Sequence, residues 1–240
     1  MHSIQAINND IYTFSIIYYI HYLTFYITYR ISTLYNCNAF NCIAFNNYNE
    51  LLSRKDIDAV YIATTPSEHD NIICAAAKNM KHILCEKPLS TSLDSVNKLI
   101  NICKKYKLGL LEGFMYQFHP QHKYVKEYIK NNEIGTPIMF EAKFGFPFLD
   151  KNNFRYSNKW GGGALLDAGV YTIHSARKFF MREPIVTHAI INRKNNKVDT
   201  HGSILLDFKY NQTAQLCFGF NNYYQNNYSV WCTKGRITVN

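Results

Sequence analysis

The chain has 240 residues, of which 47% are hydrophobic and 18% charged, and it carries a formal net charge of +9. This length and composition suit one large domain or two smaller ones, and they exclude a wholly disordered or low-complexity chain. The residue types are unevenly distributed. Asp10 and Arg30 are the only Asp, Glu, Lys or Arg residues before Glu50, and all 11 glycines lie at or after Gly109.

The first 43 residues form an atypical, tyrosine-rich segment. Residues 11–29 contain no Asp, Glu, Lys or Arg, and a run of this length is long enough to cross a bilayer. Tyrosines, hydroxyl residues and His21 dilute the run, and no basic segment precedes it as in a signal peptide. Membrane association is therefore disfavoured, and we interpret the segment as AT-rich sequence read in an unselected frame.

From residue 44 the pattern is that of an alternating α/β protein. The predicted elements are a helix at 48–55, a strand at 57–64, a helix at 69–78, a strand at 82–88, a helix ending at Lys105 and a strand at 108–115. Strands that alternate with helices form a parallel sheet with right-handed crossovers. The pattern therefore predicts a parallel-sheet domain over 44–117.

After a predicted helix at 121–131 the pattern changes. The remaining predicted elements are a strand at 137–146, a helix at 165–180 and strands at 186–193, 203–210, 214–220 and 229–239. Strands joined by short polar turns form antiparallel sheets. We therefore predict an α+β domain over 118–240.

The charged, cysteine and histidine residues exclude several classes of site. Lysines are scattered singly or in pairs, so no nucleic-acid partner is expected, and the diffuse positive field suits small anionic ligands. The seven cysteines and nine histidines form no CxxC, HExxH or other metal-ligand spacing, so no metal site is predicted. An odd number of cysteines within apolar segments is typical of reduced thiols in a cytoplasmic protein.

Polar residues follow each predicted strand of the first half. They are Thr64-Thr65-Pro66, Glu86-Lys87-Pro88 and the run from Glu112 to Tyr116. Ligands of a parallel sheet bind outside the carboxyl ends of its strands. A Glu-Lys pair followed by proline predicts a positioned Lys87, which could hold a substrate oxygen as that oxygen gains or loses a proton. Taken alone, the same dipeptide is also typical of a surface ion pair.

A second candidate site lies on the predicted helix that begins GGGALLDAGVYTIH. Asp167 and Tyr171 are four residues apart and therefore share a face of an α-helix, and His174 lies three residues beyond Tyr171. The preceding glycines let the backbone pack closely. By itself, the pattern also fits an amphipathic helix with one capped aspartate.

Four motifs together resemble the Gfo/Idh/MocA oxidoreductases, the glucose–fructose oxidoreductase and inositol dehydrogenase group. In chain order they are DAVYIATTPSEH, CEKPLS, EGFMYQFHPQ and GGGALLDAGVYTIH, and the resemblance covers roughly residues 44–240. It implies an α/β fold in which a partial Rossmann-type parallel sheet, binding NAD or NADP, precedes an α+β domain with a mostly antiparallel, open sheet.

The resemblance also implies a reaction and partners. Members of this family transfer a hydride to or from a hydroxyl or carbonyl carbon of a sugar, cyclitol or sugar nucleotide. The chain is therefore expected to be an NAD(P)-dependent oxidoreductase that acts on CH–OH groups of a small sugar-type substrate. A homo-oligomer formed through the C-terminal sheet is also implied.

Roles for individual residues follow from the resemblance. Lys87 matches the family's substrate-oxygen lysine, Asp167 matches an aspartate of the second-domain helix, and Tyr171 stands where many members have a catalytic histidine and others a tyrosine. Thr65, Pro66 and His69 match a turn beside the nicotinamide, and Glu86 matches a cofactor-facing glutamate. The predicted catalytic residues are Lys87, Asp167 and Tyr171, and the predicted cofactor-binding residues are Thr65, Pro66, His69, Glu86 and Lys87.

The sequence departs from the family at the cofactor site. A Rossmann site needs a glycine-rich turn at a helix N-terminus and an acidic partner for the ribose. Here no glycine precedes Gly109, and Asp10 is the only acidic residue among residues 1–43. The cofactor site is thus expected to be incomplete and the chain truncated at both ends. Two alternatives stay open: a truncated or frameshifted, inactive remnant, and a non-catalytic assembly module that residues 11–29 could tether to a membrane.

Overall fold

The structure is a computed structural model that describes residues 4–7, 45, 47–194 and 198–240. The chain separates into two compact units, one ending at Gly113 and the other beginning at Phe114. The predicted domain ranges, 1–43, 44–117 and 118–240, stay predictions, and most of the first range lies outside the described residues. The uncharged run at 11–29 lies outside them as well.

The first unit alternates strands and helices. Its elements are β1 (Ile4–Ile7), α1 (Tyr48–Ser53), β2 (Ala59–Ile62), α2 (Pro66–Lys78), β3 (His82–Cys85), α3 (Leu93–Lys105) and β4 (Leu110–Glu112). The strands β2, β3 and β4 each end two or three residues earlier than predicted. The polar residues that follow them are therefore free to form turns at the edge of the sheet.

The first sheet pairs its described strands in the order β1-β2-β3-β4. The pairs β2–β3 and β3–β4 are parallel, which confirms the predicted Rossmann-type parallel sheet. Strand β1 runs antiparallel to β2. The parallel arrangement brings the carboxyl ends of β2, β3 and β4 to one edge, which we call the carboxyl edge.

The helices α2 and α3 share one apolar core with this sheet. Pro66 begins α2 at its first turn, where its missing N–H costs no helical hydrogen bond. The helical spacing of Ile72, Ile73 and Ala76 points them inward, and all three are fully buried. This packing gives the carboxyl edge a rigid base.

The second unit begins with a 3₁₀ turn and ends in strands. Its elements are the 3₁₀ turn Met115–Phe118, α4 (Pro120–Lys130), β5 (Pro137–Phe146), the 3₁₀ turns Phe154–Tyr156 and Asn158–Trp160, a π-helical turn (Leu165–Gly169), α5 (Val170–Phe180), β6 (Ile185–Lys194), β7 (Val198–Asp207), β8 (Thr213–Phe220), β9 (Gln225–Cys232) and β10 (Arg236–Val239).

Two predictions for the second unit were wrong in detail. The segment 229–239 is not one strand, because a turn closed by the hydrogen bond from Cys232 N to Gly235 O separates β9 from β10. The strand predicted at 203–210 begins at Val198 and ends at Asp207. It ends there because Lys209 and Tyr210 adopt positive φ angles, which break the extended backbone.

The second sheet has the described strand order β10-β9-β5-β8-β7-β6. The pair β5–β8 is parallel and all other described pairs are antiparallel, which confirms the predicted mostly antiparallel sheet. One face packs Phe140, Leu216 and Val230 into a core with Ala168 and Ala176 of the helical segments.

The opposite face of the second sheet, which we call the outer face, carries exposed apolar side chains. Ile190 lies opposite Ser203, on the side of the sheet away from the core, and is 55% exposed. Leu205 and Trp231 are exposed on the same face, and so is Cys217, the residue opposite Ser203 on β8.

No helix among the described residues is long and apolar enough to cross a membrane.

Candidate active site

The loop after β3 is held by hydrogen bonds of Leu89 N to Glu112 and of His69 to Pro88 O. The Lys87–Pro88 peptide bond is cis. Leu89 N donates a hydrogen bond of 2.7 Å to Glu112 Oε1, which joins this loop to the end of β4. Lys87 is half-buried on this anchored loop. The structure therefore supports the interpretation of Lys87 as a positioned lysine.

Glu86 stands at the end of β3, and Tyr61 holds its side chain. The Tyr61 hydroxyl donates a short hydrogen bond to Glu86 Oε1. Tyr61 lies on β2 and is only 6% exposed, so its own position is set by the core. Glu86 is therefore oriented by the neighbouring strand.

His69 is fully buried between two loops of the carboxyl edge. Its Nδ1 lies 2.8 Å from Pro88 O and its Nε2 lies 3.2 Å from Thr64 O. Burial lowers the pKa of His69, so the ring is neutral near pH 7 and has one N–H, and the shorter distance favours donation from Nδ1–H to Pro88 O. This bond ties α2 to the loop of Lys87, and direct contact with a cofactor stays a prediction.

The turn after β2 places hydroxyl groups at the start of α2. Thr65 is the N-cap residue, and its Oγ1 lies 3.3 Å from Ser67 Oγ. Glu68 N donates to Thr65 O at 3.0 Å. The N-terminus of a helix attracts negative charge, so Thr65 and Pro66 stand where an anionic or hydroxyl-rich ligand group would be stabilised.

In the second unit, the predicted helix at 165–180 is not α-helical throughout. It begins with the π-helical turn, and regular α-helix starts at Val170. The Asp199 carboxylate caps this turn, since Oδ2 accepts a hydrogen bond of 2.6 Å from Leu165 N. Gly163 makes room for Asp199: its φ angle is +124°, and a Cβ there would lie 2.4 Å from Asp199 Oδ1. π-helical turns are frequent at functional sites.

Asp167 lies within the π-helical turn and is paired with Arg155. Arg155 Nε donates to Asp167 Oδ2 at 2.6 Å, and the Asp167 side chain is 12% exposed. The Arg155 guanidinium also lies 4.6 Å from the ring centre of Phe154. This arrangement fixes the Asp167 carboxyl group against Arg155 in a mostly buried place.

Tyr171 sits on α5 among three other aromatic rings. The centre of its ring lies 5.6 Å from that of Phe114, 5.9 Å from that of Tyr116 and 5.2 Å from that of Phe144, each in an edge-on arrangement. Aromatic pairs prefer such edge-to-face geometry. The phenol of Tyr171 therefore has a defined orientation.

Next to Tyr171, Tyr116 and His174 form a hydrogen-bonded pair. Tyr116 Oη lies 2.6 Å from His174 Nδ1. The His174 ring stacks on Phe114 with 4.0 Å between centres and an interplanar angle of 4°. Burial, with the positive charges of Lys178 and Arg177, lowers the pKa of His174 to about 4. Burial raises the pKa of Tyr116, so near neutral pH the phenol donates and the imidazole accepts.

A second tyrosine–histidine pair lies nearby. His122 Nδ1 is 3.0 Å from the Tyr228 hydroxyl, and burial raises the pKa of Tyr228 to about 12. Both side chains line a small pocket of about 40 Å³. Within the described residues, no group of three His, Cys, Asp or Glu side chains is placed to hold a metal ion.

The predicted site residues thus fall into two groups, one in each unit. Thr65, Pro66, His69, Glu86 and Lys87 surround the carboxyl edge of the first sheet, and Asp167 and Tyr171 lie on consecutive helical segments of the second. Their roles stay predictions. Sequence reasoning left Tyr116, His174 and Arg155 without a role. The motif EGFMYQFHPQ and the three-residue spacing from Tyr171 to His174 were the available signals.

Both units match models of one protein family. Residues 28–114 match an oxidoreductase family with an NAD-binding Rossmann fold, and residues 122–238 match the GFO/IDH/MocA C-terminal domain. The chain belongs to the Gfo/Idh/MocA oxidoreductase family. The first match begins at residue 28, whereas the resemblance in motifs begins at residue 44. The match therefore extends into the tyrosine-rich segment.

Similar curated proteins include oxidoreductases of sugars and sugar nucleotides. The dTDP-3,4-didehydro-2,6-dideoxy-alpha-D-glucose 3-reductase of Saccharopolyspora spinosa is 37% identical over 201 residues, which are 83% of this chain and 60% of that protein. The D-xylose 1-dehydrogenase (NADP(+)) 2 of Haloferax volcanii is 31% identical over 82% of this chain and 61% of its own length. This Gfo/Idh/MocA chain therefore spans about three fifths of the length of the curated relatives it matches.

A solved structure has the same fold. KijD10, a 3-ketoreductase from Actinomadura kijaniata in complex with NADP and TDP-benzene, superimposes with a TM-score of 0.82. It is 34% identical, and the match covers 86% of this chain and 64% of KijD10. KijD10 has also been solved as variants in which one tyrosine or one lysine is replaced.

The carboxyl edge of this Gfo/Idh/MocA chain fits one part of a nicotinamide dinucleotide. The hydroxyls at the start of α2 and the oriented Glu86 carboxylate are suited to hold a ribose, whose hydroxyls donate and accept hydrogen bonds. The glycine-rich turn that would hold the diphosphate has no counterpart, since no glycine precedes Gly109.

Proposed function

We propose that this chain acts as an NAD(P)-dependent oxidoreductase that transfers a hydride to or from a carbonyl or hydroxyl carbon of a sugar, with the keto group of a sugar nucleotide as its preferred substrate. The observation that carries this proposal is the 37% identity, over 83% of the chain, to a reductase of a dTDP-linked hexose. The Lys87 and Tyr171 motif positions lie within that family match.

Lys87 is assigned the role of holding the substrate oxygen. Its ammonium group is a compact positive charge on a loop that Glu112 and His69 anchor. When a ketone is reduced, negative charge grows on the carbonyl oxygen. An ammonium group held beside that oxygen lowers the energy of the transition state, since it binds the developing charge more tightly than the neutral ketone.

Tyr171 is assigned the role of proton donor in reduction and of proton acceptor in oxidation. A bound nicotinamide cofactor would supply the hydride that reaches the carbonyl carbon. Tyr171 then donates its phenol proton to the oxygen, and solvent returns a proton to the phenolate. In the reverse direction, the phenolate accepts the hydroxyl proton. The aromatic rings around Tyr171 support this role because they restrict where the phenol can point.

Asp167 is assigned a positioning role. Its carboxylate is paired with Arg155, and it sits one helical turn before Tyr171. The ion pair ties the 3₁₀ turn of Arg155 to the π-helical turn, from which the helix of Tyr171 continues. It therefore helps to fix the start of that helix.

Turnover tests the proposal directly. Purified chain is mixed with NADPH or NADH and a dTDP-linked 3-ketohexose, and cofactor oxidation is followed by absorbance. We expect oxidation that depends on the sugar nucleotide. No cofactor binding at millimolar concentration would refute the enzyme assignment for this chain, and would favour the inactive remnant or the assembly module. Faster oxidation of D-xylose than reduction of the keto sugar would overturn the substrate assignment.

Two substitutions with matched controls separate catalysis from folding. Lys87→Ala and Tyr171→Phe are each expected to lower kcat by about 100-fold or more, as for removal of a proton donor or oxyanion contact. The exposed residues Lys104 and Tyr124 provide the controls, as Lys104→Ala and Tyr124→Phe. Equal activity of Tyr171→Phe and Tyr124→Phe would remove Tyr171 from the mechanism.

Homo-oligomerisation through the second sheet is the assembly that we propose. The exposed apolar side chains of the outer face, Ile190, Leu205 and Trp231, support it. Along β6, the described side chains from Ile185 to Arg193 are all exposed. An exposed apolar strand at the edge of a sheet is a site for association between chains.

A cytoplasmic location remains part of the proposal. Its support is that the described cysteines, Cys74, Cys85, Cys103, Cys217 and Cys232, are all free thiols. Free thiols persist where the compartment is reducing. Alkylation of these cysteines in freshly lysed cells, without added reductant, would test it.

A further inference from the structure

The hydrogen bond between Tyr116 and His174 joins two elements of the second unit that are far apart in sequence. Tyr116 lies in the 3₁₀ turn Met115–Phe118, and His174 lies on α5, 58 residues later. At 2.6 Å from oxygen to nitrogen, the bond is short for a neutral pair. Phe114, directly before the turn, stacks on the same imidazole. The contact therefore fixes the turn against the helix.

The protonation states of the pair allow only one arrangement near neutral pH. His174 is neutral, because burial and the charges of Lys178 and Arg177 oppose a second proton. Tyr116 keeps its proton, since burial and the neighbouring hydroxyls of Tyr171 and Tyr228 oppose the phenolate. The Tyr116 hydroxyl therefore donates to Nδ1, and the imidazole proton resides on Nε2.

The same two elements surround Tyr171. The rings of Phe114 and Tyr116 both contact the Tyr171 ring, and His174 lies one turn further along α5. Loss of the Tyr116–His174 bond would leave these rings in van der Waals contact but would remove the only described hydrogen bond of the Tyr116 hydroxyl. Lys178 of α5 would still donate to Gln117 of the same turn, so the turn would stay attached to the helix. The Tyr116 ring would lose the bond that fixes its place beside Tyr171, and the Tyr171 phenol would lose part of its fixed orientation.

We propose that the Tyr116–His174 hydrogen bond is a positioning device for Tyr171, which holds the phenol in the orientation needed for proton transfer. This inference rests on the proposed function, in which Tyr171 exchanges the proton. Neither Tyr116 nor His174 touches the reacting atoms in this scheme. Both act through the ring of Tyr171.

Three variants test the proposal by kinetics. Tyr116→Phe keeps the ring and removes the donor, and His174→Leu removes the acceptor. Each is expected to lower kcat by about 10- to 100-fold with KM for both substrates changed less than about twofold, because a misplaced group slows chemistry and leaves binding intact. His174→Asn is expected to recover most of kcat, since its amide oxygen can accept from Tyr116.

The second tyrosine–histidine pair provides the control. Tyr228→Phe breaks the bond to His122, and it is expected to leave kcat within about twofold of the unmodified protein. An unchanged kcat in Tyr116→Phe would overturn the proposal. So would equal losses in Tyr116→Phe and Tyr228→Phe, or a failure of His174→Asn to exceed His174→Leu.

Nuclear magnetic resonance tests the positioning without turnover. In histidine labelled with ¹⁵N, the His174 signals are expected to show an unprotonated Nδ1 and a protonated Nε2 at pH 7. In tyrosine labelled with ¹³C, the Tyr171 signal, assigned with Tyr171→Phe, is expected to shift or broaden in Tyr116→Phe and not in Tyr228→Phe. An unmoved Tyr171 signal would refute the positioning role. An inactive unmodified protein with the expected signals would instead count against the proposed function alone.

Discussion

His174 is the residue whose charge state the fold changes most clearly in the second unit. Tyr116 in the 3₁₀ turn and Phe114 directly before it cover His174, and Arg177 and Lys178 lie beyond it on its own helix. Its pKa of about 4 in the folded chain lies below the usual histidine value of 6.5. Between these two values the unfolded chain takes up a proton that the folded chain does not. Stability contributed by neutral His174 is therefore complete above pH 6.5 and is lost as the pH falls toward 4.

The free energy of unfolding should show this loss. We expect His174→Asn to have a flatter pH dependence than the unmodified protein between pH 6.5 and 4, by roughly 1–2 kcal/mol, because part of the ring is solvent-exposed and the full shift does not appear as stability. Urea unfolding at a series of pH values measures it. The pKa of His69 is also lowered, so His69 adds a pH dependence of the same sign to both proteins. The test therefore compares the slope of His174→Asn with that of the unmodified protein. Identical slopes would show that His174 titrates normally.

At the scale of elements, the π-helical turn depends on two glycines and one carboxylate. Gly162 packs against the chain of the preceding turn, where a Cβ would lie 2.4 Å from Arg155 O. Gly163 leaves the space that the Asp199 carboxylate fills as it caps Leu165 N. The π-helical turn in turn carries Asp167 and leads into the α-helix of Tyr171.

Adding one methyl group at Gly163 should disrupt this turn. Gly163→Ala is expected to lower the free energy of unfolding by about 2–4 kcal/mol, because the backbone angle suits glycine and the Cβ would clash with Asp199. We expect kcat to fall even at temperatures where the variant stays folded, since Asp167 and Tyr171 move with the turn. Thermal unfolding and kcat measure the two effects. Gly109→Ala is the control, where the Cβ would lie 3.2 Å from the His82 side chain. Equal stability of the two variants would contradict the argument.

The strands and helices illustrate how far sequence reasoning reaches. The apolar β-branched run at 57–64 and the helical spacing of Ile72, Ile73 and Ala76 depend on neighbours in sequence, and the elements they predicted are present. The π-helical turn depends on Asp199, 34 residues after Leu165, so the local pattern of residues 165–180 could not distinguish it from α-helix.

In the candidate site, too, local motifs could be predicted and contacts between distant residues could not. The residues Lys87, Asp167 and Tyr171 stand out because motifs mark them. The pairing of Asp167 with Arg155 crosses an irregular loop, and the bond from Tyr116 to His174 crosses 58 residues. Such contacts are set by tertiary packing, for which a single sequence carries no periodic signal.

At the scale of the whole molecule, the outer face of the second sheet is the feature with the largest consequence. It combines Ile190 and Leu205 on neighbouring strands with Trp231 on β9, all exposed. Burying such side chains between two copies stabilises the association by about 25 cal/mol for each square ångström of apolar surface removed from water. The net charge of +9 opposes the close approach of two copies, so added salt should favour association.

A charge placed on this face should prevent association. Ile190→Lys is expected to shift the protein to monomer at micromolar concentration, since a lysine buried in an apolar contact must lose its hydration. Light scattering after size-exclusion chromatography gives the mass. Met181→Lys adds the same charge at an exposed position outside the sheet and should leave the mass unchanged. A monomeric unmodified protein, or an Ile190→Lys oligomer of unchanged mass, would rule out this face.

The reactivity of the buried Lys81 amine can show whether the first unit is folded. Lys81 is 6% exposed, and its ammonium group donates to Arg54 O at 2.5 Å and to Ile57 O at 2.7 Å. An acylating reagent needs a free, accessible amine, so Lys81 should react far more slowly than the exposed lysines Lys104 and Lys107. Its degree of modification in a peptide digest would therefore show whether the first unit is folded, in samples that hold neither cofactor nor substrate.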